Sequence, residues 1–345
     1  MHGRKAVTDA HHAGKATMNG EPAALSVVIV NYDTWDDVLA QVSTLSRTPE
    51  FLSGRLEVLV VDNDSSTPPP KERPCLPGLK WIDRADNGGF AAGVNAGWSA
   101  ARGEWLLVMN PDVVVTDVLM GHVLALLDEI DSRRTLADQP RVGVMGIALT
   151  NPDGSRQPSV GAFPSVGRGV MELFIPRSRR RYQIVSPRKF GPVDWVTGAF
   201  FLVRSQVMRE LGGFDEDYFL YFEETDFCRR AWRAGWGAYF VPDLSACHQK
   251  PLQNRRVSPK IRLLTRHSRL VYFRKNASGL QFRLMLALVK ADATLRWLAA
   301  RLGLGSDDPR VWKAIRKVTD AFRKGQEPLG TDVRDWAVRT LADPS

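Results

Sequence analysis

The segment Trp105-Leu-Leu-Val-Met-Asn-Pro-Asp112 decides the fold that the sequence predicts. Five apolar residues stop abruptly at Asn110, and short apolar runs bounded by turn residues are typical of buried strands. Pro111 ends the strand because proline cannot donate a hydrogen bond to a neighbouring strand. Asp112 is therefore expected on a loop at the carboxyl end of a strand, where open α/β sheets bind their ligands. A carboxylate there can hold a hard divalent cation or can serve only as a turn-forming acid.

Patterns on both sides of this segment predict an α/β sheet that begins parallel. Residues 25–30 and 56–61 are β-rich apolar runs, and residues 35–45 between them carry apolar side chains at helical spacing. A strand, a helix and a second strand of this length form a βαβ unit with parallel strands. Further strands are predicted at residues 81–82, 105–109, 142–149, 195–203 and 236–241, helices near residues 90–102, 113–135 and 227–234, and an irregular basic segment at residues 155–192.

The first strands all end in Asn or Asp, at what becomes one edge of the predicted sheet. The polar ends are Asn31-Tyr32-Asp33, Asp62-Asn63-Asp64 and Asp86-Asn87. Together they predict a cleft that can bind a nucleotide, and Gly88 and Gly89 would let the backbone approach that ligand closely. The G-x-G-x-x-G fingerprint of dinucleotide-binding proteins is absent after the first strand, which argues against a Rossmann oxidoreductase.

Composition and charge limit the classes of protein to which the chain can belong. The 345 residues are 44% hydrophobic and 25% charged, which is ordinary for a globular protein. The formal net charge of +9 favours an anionic partner: a nucleotide, a nucleic acid or an anionic membrane face. The three cysteines show no C-x-x-C spacing and fit reduced thiols in a cytosolic protein. No stretch reaches the ~18 uninterrupted apolar residues expected of a membrane span.

The sequence predicts three regions: a disordered leader at residues 1–23, an α/β domain at residues 24–250 and a basic helical region at residues 251–345. The leader is polar and has no apolar core, so it does not resemble a signal peptide. In the third region lysine and arginine alternate with apolar residues, and one stripe of the segment 280–302 contains Phe282, Leu286, Val289, Ala293 and Trp297. This stripe either packs on the preceding domain or lies in an anionic membrane interface.

Three acids lie within four residues at a predicted helix start. They are Glu223, Glu224 and Asp226, and they follow the aromatic run at residues 218–222. Acids favour a helix N-terminus, and this role accounts for Asp226. It does not explain two adjacent glutamates beside aromatic side chains. An acid in an apolar wall can have a raised pKa and act as a general base, so Glu223 and Glu224 are candidates for that function.

Two other side chains have both a structural and a functional interpretation. His248 follows the last predicted strand and is either a metal ligand or a structural histidine. Trp195, together with Gly198, predicts either a platform for a sugar ring or an ordinary core tryptophan.

The chain resembles the family-two inverting glycosyltransferases with the GT-A fold. The resemblance covers roughly residues 25 to 250 and rests on motifs in the family's order: V-V-I-V-N-Y, V-D-N-D-S-S, N-G-G-F-A-A-G-V-N-A-G, N-P-D, W-V-T-G-A-F, G-G-F-D-E, Y-F-E-E-T-D and the terminal histidine. It implies a mostly parallel central sheet flanked by helices, followed by a helical C-terminal appendage. Within the family, N-P-D-G-S-x-x-P-S before a basic segment, W-x-x-G and Y-F-x-Y-x-E-[DE] are most similar to bacterial rhamnosyltransferases that act on polyprenyl-linked sugars.

The resemblance implies a donor site and a metal site. Asp62 would accept the pyrimidine N3–H of the donor. Asp112 would bind Mg²⁺ or Mn²⁺ bridging the diphosphate, with His248 completing the metal site. Other residues would line the cleft for the nucleotide-diphosphate sugar: Val30, Asn31, Tyr32, Asn87, Gly89, Asn95 and Asn110.

On the acceptor side the resemblance implies that Glu224 is the base, with Trp195, Gly198 and Glu223 shaping the pocket. Glu224 would remove a proton from an acceptor hydroxyl, which attacks the anomeric carbon in one displacement with inversion. The chain departs from the family pattern twice. Asn110 replaces the first aspartate of D-x-D, so metal binding depends on Asp112, and the base position carries Glu where Asp is common.

The function expected from these observations is inverting sugar transfer to a glycan or polyprenyl-linked acceptor in cell-envelope polysaccharide synthesis. Rhamnose from dTDP-rhamnose is the preferred donor, with UDP-galactofuranose and UDP-N-acetylglucosamine as alternatives. A pyrophosphorylase would need a Gly- and Lys-rich signature near the first strand, which is not present. A basic nucleic-acid-binding protein is a remote alternative, because residues 177–181 belong to no recognisable nucleic-acid module. The expected location is the cytoplasm, with peripheral attachment to the inner face of the plasma membrane left open.

Overall fold

The computed structural model describes residues 23–132, 140–174, 187–250, 257–304 and 308–341. Nearly all of the predicted disordered leader, at residues 1–22, lies outside the described residues. The same holds for the arginine-rich segment at residues 177–181.

The chain begins with the predicted βαβ unit. Strand β1 (Leu25–Asn31) is followed by helices α1 (Trp35–Leu45) and α2 (Pro49–Leu52) and by strand β2 (Leu56–Asp62). The two strands are parallel, with Leu25 opposite Leu56 and Asn31 opposite Asp62. Every residue of β1 is buried, which is the pattern of a parallel strand covered on both faces.

The next elements are β3 (Leu79–Asp83), α3 (Phe90–Ala100), β4 (Trp105–Met109), β5 (Val113–Val114), α4 (Asp117–Ser132) and β6 (Arg141–Thr150). The helix predicted from residue 113 is wrong at its start. Val113 and Val114 form a short strand that pairs with the last strand of the sheet, and α4 begins only at Asp117. This distant pairing, which leaves no periodic signal in the local sequence, overrides the helical pattern.

The second half of the sheet contains β7 (Arg156–Gln157), β8 (Val160–Gly161), α5 (Val166–Phe174), β9 (Gly191–Val193), β10 (Trp195–Val196), β11 (Phe200–Arg204), α6 (Ser205–Leu211), α7 (Glu223–Arg233) and β12 (Trp236–His248). The segment predicted as irregular thus contains α5. The strand predicted at residues 195–203 is divided, because β10 pairs with β8 in a separate small sheet whereas β11 enters the main sheet. Strand β12 extends beyond its predicted end at residue 241 and reaches His248, with a register shift on the way.

The main sheet has the strand order β3-β2-β1-β4-β11-β6-β12-β5. Its first four strands are parallel, β12 is parallel to β6, and β11 runs antiparallel to both of its neighbours. The carboxyl ends of β1, β2, β4, β6 and β12 therefore meet at one edge, together with the amino end of β11. The predicted, mostly parallel central sheet is confirmed, and this edge is the one that the polar strand ends were expected to share.

The C-terminal region is helical. It consists of α8 (Pro259–Asn276), α9 (Gly279–Arg301), α10 (Pro309–Arg323) and α11 (Gly330–Leu341). Side chains cap three of these helices, as when Ser258 accepts a hydrogen bond from the backbone N–H of Ile261. The boundary predicted at residue 250 stays a prediction. Among the described residues, none of the helices combines the length and the apolar character that crossing a membrane requires.

The stripe predicted on residues 280–302 packs against the protein. Leu286, Val289 and Ala293 are buried, and Phe282 and Trp297 are partly buried, in a third hydrophobic core formed by the C-terminal helices. Tyr218 and Phe219 from the aromatic run also belong to this core. The C-terminal helices are thus packed on the segment that leads to the acid pair.

Candidate active site

Asn31 and Asp62 form a buried polar network where β1 and β2 end. The Asn31 Nδ2 atom donates to Asp62 Oδ1 at 2.8 Å and to Ser65 Oγ at 3.0 Å, and Asn31 Oδ1 accepts from the backbone N–H of Thr34. Because Asn31 is completely buried, its side chain braces the two loops. Among the described residues Asp62 Oδ2 has only a long contact, 3.4 Å from the backbone N of Ser65, so this oxygen can accept a hydrogen bond from a ligand.

Val30 and Tyr32 flank Asn31 in different environments. Val30 is buried against α3, where a Cβ atom on Gly93 would lie 2.6 Å from Val30 Cγ1. Tyr32 is exposed beside the cleft. Of these two side chains, only Tyr32 is accessible to a ligand.

The predicted donor residues Asn87 and Asn95 use their amide groups on protein partners. Asn87 is buried, and its Oδ1 accepts from Asn63 Nδ2 and from the backbone N–H of Gly89, both at 3.1 Å. Asn95 exchanges two hydrogen bonds with the backbone of Phe214, at 2.8 and 2.9 Å. Asn95 thereby fixes the G-G-F-D-E loop to α3, and the predicted contacts of both side chains with the donor stay a prediction. The sequence analysis missed the bracing role of Asn63.

Gly89 allows two segments of the protein to come close together, and the predicted approach of a ligand to it stays a prediction. Its φ of 92° is in the region that favours glycine, and a Cβ atom would lie 2.4 Å from the carbonyl oxygen of Phe219. That carbonyl also accepts a hydrogen bond of 2.9 Å from the backbone N–H of Phe90. The loop after β3 is therefore joined directly to the aromatic run.

This contact gives a stability prediction. Gly89→Ala should lower the free energy of unfolding by about 3 kcal/mol, because the added Cβ collides with backbone atoms that cannot move independently. Gly54→Ala is the matched control, since Gly54 also has positive φ but no atom lies within 4 Å of the added Cβ; it should cost about 1 kcal/mol from backbone strain alone. Urea denaturation measures both, and equal losses would contradict the steric explanation.

Asp112 and His248 are brought together at the edge of the sheet. The Oδ1 atom of Asp112 lies 3.4 Å from Nε2 of His248, and the second carboxylate oxygen accepts from the backbone N–H of Lys250 at 3.1 Å. Burial raises the pKa of the Asp112 carboxyl, but the hydrogen bond and charge interaction with His248 outweigh it, so the pKa lies below its ordinary value. The carboxylate is therefore ionised near neutral pH.

The pairing of β5 with β12 produces this arrangement. His248 is opposite Val113, and the backbone N–H of Gln249 donates to the carbonyl of Asp112 at 2.9 Å. The Gln157 Nε2 atom, from β7, lies 2.9 Å from Nδ1 of His248. An amide nitrogen can only donate, so with this contact Nδ1 accepts and Nε2 carries the ring proton towards Asp112. Gln157 is a second residue that the sequence analysis missed.

The donor set at this edge fits a divalent cation. A carboxylate oxygen and an imidazole nitrogen are both common ligands, and here they face each other. Asn110 contributes backbone contacts, donating to the carbonyl of Ala199 and accepting from Val113, both at 3.1 Å. Within the described ranges no group of three or more His, Cys, Asp or Glu side chains is placed to hold a metal. Asp112 and His248 would thus be a two-residue site, with the remaining positions open to ligand oxygens.

The acid pair lies at the start of α7. Glu223 is buried and Glu224 is partly exposed, and the Oε2 atom of each is buried with no hydrogen-bond partner among the described residues. Burial, followed by the charge of Glu224, raises the pKa of Glu223 well above its ordinary value. Burial also raises the pKa of Glu224, to about 7. A carboxyl group with these properties can exchange a proton near neutral pH.

Gly198 keeps the space beside Glu224 open. A Cβ atom on Gly198 would lie 3.9 Å from Glu224 Cβ and 3.5 Å from Cε1 of Phe90, so the residue belongs to the wall around the acid pair. Trp195, in contrast, is buried beneath β8 and donates through Nε1 to the carbonyl of Ala162 at 3.0 Å. Trp195 is therefore positioned as an ordinary core tryptophan. This position gives no support to the predicted contact of Trp195 with an acceptor.

The segment before the acid pair is strained and held from outside. Tyr221 and Phe222 have φ of 68° and 74°, values that non-glycine residues rarely adopt. Strain of this kind persists only where the surroundings impose it. Ser268 of α8 donates to the carbonyl of Leu220 at 2.9 Å, and Gly330 of α11 packs so closely that a Cβ atom there would lie 2.7 Å from the backbone N of Phe219. The C-terminal helices therefore position the acids.

Asp226 lies in the first turn of α7, as an acid favoured at a helix N-terminus was predicted to do. It is also buried and accepts hydrogen bonds from Tyr218 Oη at 3.2 Å, Arg230 Nε at 2.7 Å and Asn276 Nδ2 at 2.6 Å. The contact with Asn276 of α8 was not predicted, because that residue is far away in the sequence and leaves no local signal.

The structure defines an α/β protein that has a carboxylate–imidazole pair at the carboxyl edge of a mixed sheet and an acid pair at the start of α7. The family model described as "Glycosyltransferase like family 2" matches residues 22–269, and the chain belongs to this family. The protein is a glycosyltransferase, and the GT-A fold expected from the motifs is confirmed. This membership decides between the classes of protein that the sequence left open.

Individual proteins are similar over most of the same region. The chain is 31% identical over 246 residues to the N-acetylglucosaminyl-diphospho-decaprenol L-rhamnosyltransferase of Mycobacterium tuberculosis, covering 66% of this chain and 76% of that protein. It is 25% identical over 240 residues to the low-salt glycan biosynthesis hexosyltransferase Agl10 of Haloferax volcanii, covering 67% of this chain and 69% of that protein. Among solved structures, GalNAc-T7 with UDP, GalNAc and Mn²⁺ superposes with a TM-score of 0.50 at 16% identity, covering 94% of this chain and 59% of that chain.

Proposed function

We propose that the protein transfers rhamnose from dTDP-rhamnose, with inversion, to a polyprenyl-linked glycan in cell-envelope polysaccharide synthesis. The observation that carries the chemistry is the Glu224 carboxyl group, which lies beside Gly198 and whose Oε2 atom is buried with no hydrogen-bond partner among the described residues. The choice of sugar and acceptor rests on the rhamnosyltransferase of M. tuberculosis, whose name specifies both. UDP-galactofuranose and UDP-N-acetylglucosamine remain the competing donors.

On the donor side, Asp62 Oδ2 accepts a hydrogen bond from the N3–H of the pyrimidine. The other carboxylate oxygen of Asp62, Oδ1, accepts hydrogen bonds from Asn31 and Ser65. A carboxylate oxygen already fixed by two donors keeps the remaining oxygen in one orientation, so little conformational entropy is lost on binding. Tyr32, which is exposed directly after β1, would cover the base.

Asp112 and His248 would hold Mg²⁺ or Mn²⁺, and the metal would neutralise the negative charge that develops on the leaving diphosphate. For this role the Gln157 amide would turn so that its Oε1 atom, which is buried with no hydrogen-bond partner among the described residues, accepts from Nδ1–H of His248 and leaves Nε2 free for the metal. The Mn²⁺ in the GalNAc-T7 structure supports a divalent ion in this fold.

Glu224 acts as the general base. It takes the proton from the acceptor hydroxyl, and the hydroxyl oxygen attacks the anomeric carbon on the face opposite the diphosphate. The bond to the diphosphate breaks in the same displacement, so the anomeric configuration inverts. Burial and the charge of Glu224 raise the pKa of the neighbouring Glu223, so Glu223 keeps its proton while Glu224 acts as the base.

The test is a donor screen with a synthetic N-acetylglucosaminyl-diphospho-lipid acceptor and dTDP-rhamnose, UDP-galactofuranose or UDP-N-acetylglucosamine. The expected result is transfer from dTDP-rhamnose at a kcat/KM at least tenfold higher than from the other donors, since pocket contacts to a sugar hydroxyl are typically worth ~1–3 kcal/mol. NMR of the product gives the anomeric configuration. Retention of configuration, or preference for a UDP-sugar, would contradict the proposal.

The raised pKa of Glu224 predicts the pH dependence of transfer. The base acts only when ionised, and its pKa is raised to about 7, so activity should be lost as pH falls through that value. Below pH 7 kcat/KM should fall about tenfold per pH unit. Initial rates from pH 5 to 9 at saturating Mn²⁺ measure this limb. A profile that stays flat down to pH 5 would remove the assignment.

The proposed acceptor has a hydrocarbon chain and therefore resides in a membrane. We infer that the enzyme works in the cytoplasm and attaches peripherally to the inner face of the plasma membrane.

A further inference from the structure

Helix α9 carries a second apolar stripe, on the side opposite to the one that packs in the core. Its members are exposed and recur at intervals of four and three residues, which places them along one line of the helix: Leu280, Leu284, Ala287, Ala291, Leu295, Leu298 and Leu302. We call this set the outer stripe. Over the 23 residues of α9 it extends about 34 Å.

The leucine side chains of the outer stripe are unusually exposed to solvent. Leu280 and Leu295 are each 67% exposed, and Leu302 is 72% exposed. Single exposed apolar residues are common in globular proteins, but a contiguous apolar row marks a surface that binds a partner. On the neighbouring helix α5, which packs against α9, Val170 and Met171 are exposed as well and widen this surface.

Positive charge lies along one flank of the outer stripe. Arg283 and Arg301 are exposed on α9 at this flank. An ion pair of 2.5 Å between Lys290 and Asp320 shows that α10 runs beside the same flank. The exposed residues of α10 add more cations: Arg310, Lys313, Lys317, Arg323 and Lys324.

Acidic side chains are few on this surface. The one acid of α9, Asp292, is partly buried and pairs with Arg266 and Arg296. An apolar stripe beside a basic flank is the pattern of helices that lie in the interface of an anionic bilayer. A second copy of the chain fits less well, because it would present the same positive flank and repel the first.

We infer that the outer stripe of α9 docks on an anionic lipid bilayer, with the helix parallel to the membrane and the leucines at the boundary between headgroups and acyl chains. The choice of a bilayer rests on the proposed function, because a polyprenyl-linked acceptor is held in one. The surface belongs to the same helical unit that positions the acid pair through Ser268 and Gly330. Docking would therefore hold the helical unit that contacts the segment before the acid pair at the membrane surface.

Co-sedimentation with liposomes tests the inference on the full chain. Vesicles of phosphatidylcholine alone are compared with vesicles that also contain phosphatidylglycerol, at low and high salt. The combined variant Leu284→Gln, Leu295→Gln and Leu298→Gln should bind anionic vesicles at least tenfold more weakly, since each buried apolar side chain adds to partitioning. Arg283→Gln with Arg301→Gln should cost about tenfold at low salt and little at high salt.

The matched control is Leu52→Gln with Val118→Gln. These side chains are 67% and 64% exposed on other helices. Their substitution also removes exposed apolar area, but away from the outer stripe, so lipid binding should be unchanged. Circular dichroism and thermal unfolding check that the variants fold.

Three outcomes would overturn the inference. The first is unchanged lipid binding by the leucine variant. The second is a loss of binding only when Arg177, Arg179, Arg180 and Arg181 are changed to Gln. The third is a wild-type dimer that the leucine variant converts to a monomer without affecting lipid binding. Vesicle binding is measured without donor, and transfer to a short water-soluble acceptor should be equal for wild type and the leucine variant. Lipid binding that depends on the leucines in a protein without rhamnosyl transfer would leave the inference standing and reject the proposed function.

Discussion

Asp112→Ala is expected to abolish sugar transfer while leaving the protein folded. The carboxylate faces Nε2 of His248 and accepts from the backbone of Lys250, so its loss removes one of the two ligands proposed for the metal. We expect kcat/KM to fall by at least about 10³-fold, because stabilisation of a charged leaving group is commonly worth several kcal/mol. Initial rates with Mg²⁺ or Mn²⁺ give the activity, and electron paramagnetic resonance of Mn²⁺ gives binding of the ion alone.

Asp128→Ala is the control for this experiment. Asp128 is an exposed acid paired with Arg55 at 2.8 Å, so its removal should change stability and activity little. His248→Ala should weaken Mn²⁺ binding without eliminating transfer at high metal concentration. Full wild-type activity in excess EDTA would show that the assignment of Asp112 and His248 to a metal is wrong.

Glu224→Gln should reduce kcat by about 10²- to 10⁴-fold, the usual contribution of a general base. The substitution keeps the size of the side chain and removes its ability to accept a proton. It also removes the repulsion between two buried carboxyl groups, so the folded state should be as stable as in wild type or more stable. Measured together, kcat and the unfolding temperature separate lost chemistry from lost structure.

Glu223→Gln is the matched variant at the neighbouring position. Glu223 is buried behind Glu224, so we expect its loss to affect KM for the acceptor and the pH profile more than kcat at high pH. A nearly inactive Glu223→Gln together with a wild-type Glu224→Gln would mean that the two acids exchange roles.

The sequence by itself determined the architecture and the composition of the cleft. The apolar runs of β1, β2 and β4 are short and buried, each stops at a polar residue, and helical spacing separates them, so a parallel sheet with one polar edge follows from periodicity alone. The acid pair could be singled out because two adjacent glutamates after an aromatic run have no explanation in helix capping.

Only the tertiary structure decided which of those residues face the cleft. Asn87 and Asn95 are expected from the sequence to contact the donor, and only the structure shows that their amides also hydrogen-bond to backbone groups of neighbouring loops. The β5–β12 pairing that brings His248 to Asp112 joins segments that are far apart in the chain. The conformational entropy lost in ordering these segments is offset by interactions of the whole sheet, so no local sequence pattern predicts the pairing.

Helix α9 also has features that its sequence predicts and features that only the tertiary structure decides. Its sequence contains two apolar stripes, and periodicity predicts that such a helix buries at least one of them. The structure decides that Leu286, Val289 and Ala293 enter the core, because α8 and α10 meet α9 on that side. The leucines of the outer stripe stay exposed, since the chain provides no further described helix to cover them, and a helix pattern alone cannot state which face its neighbours occupy.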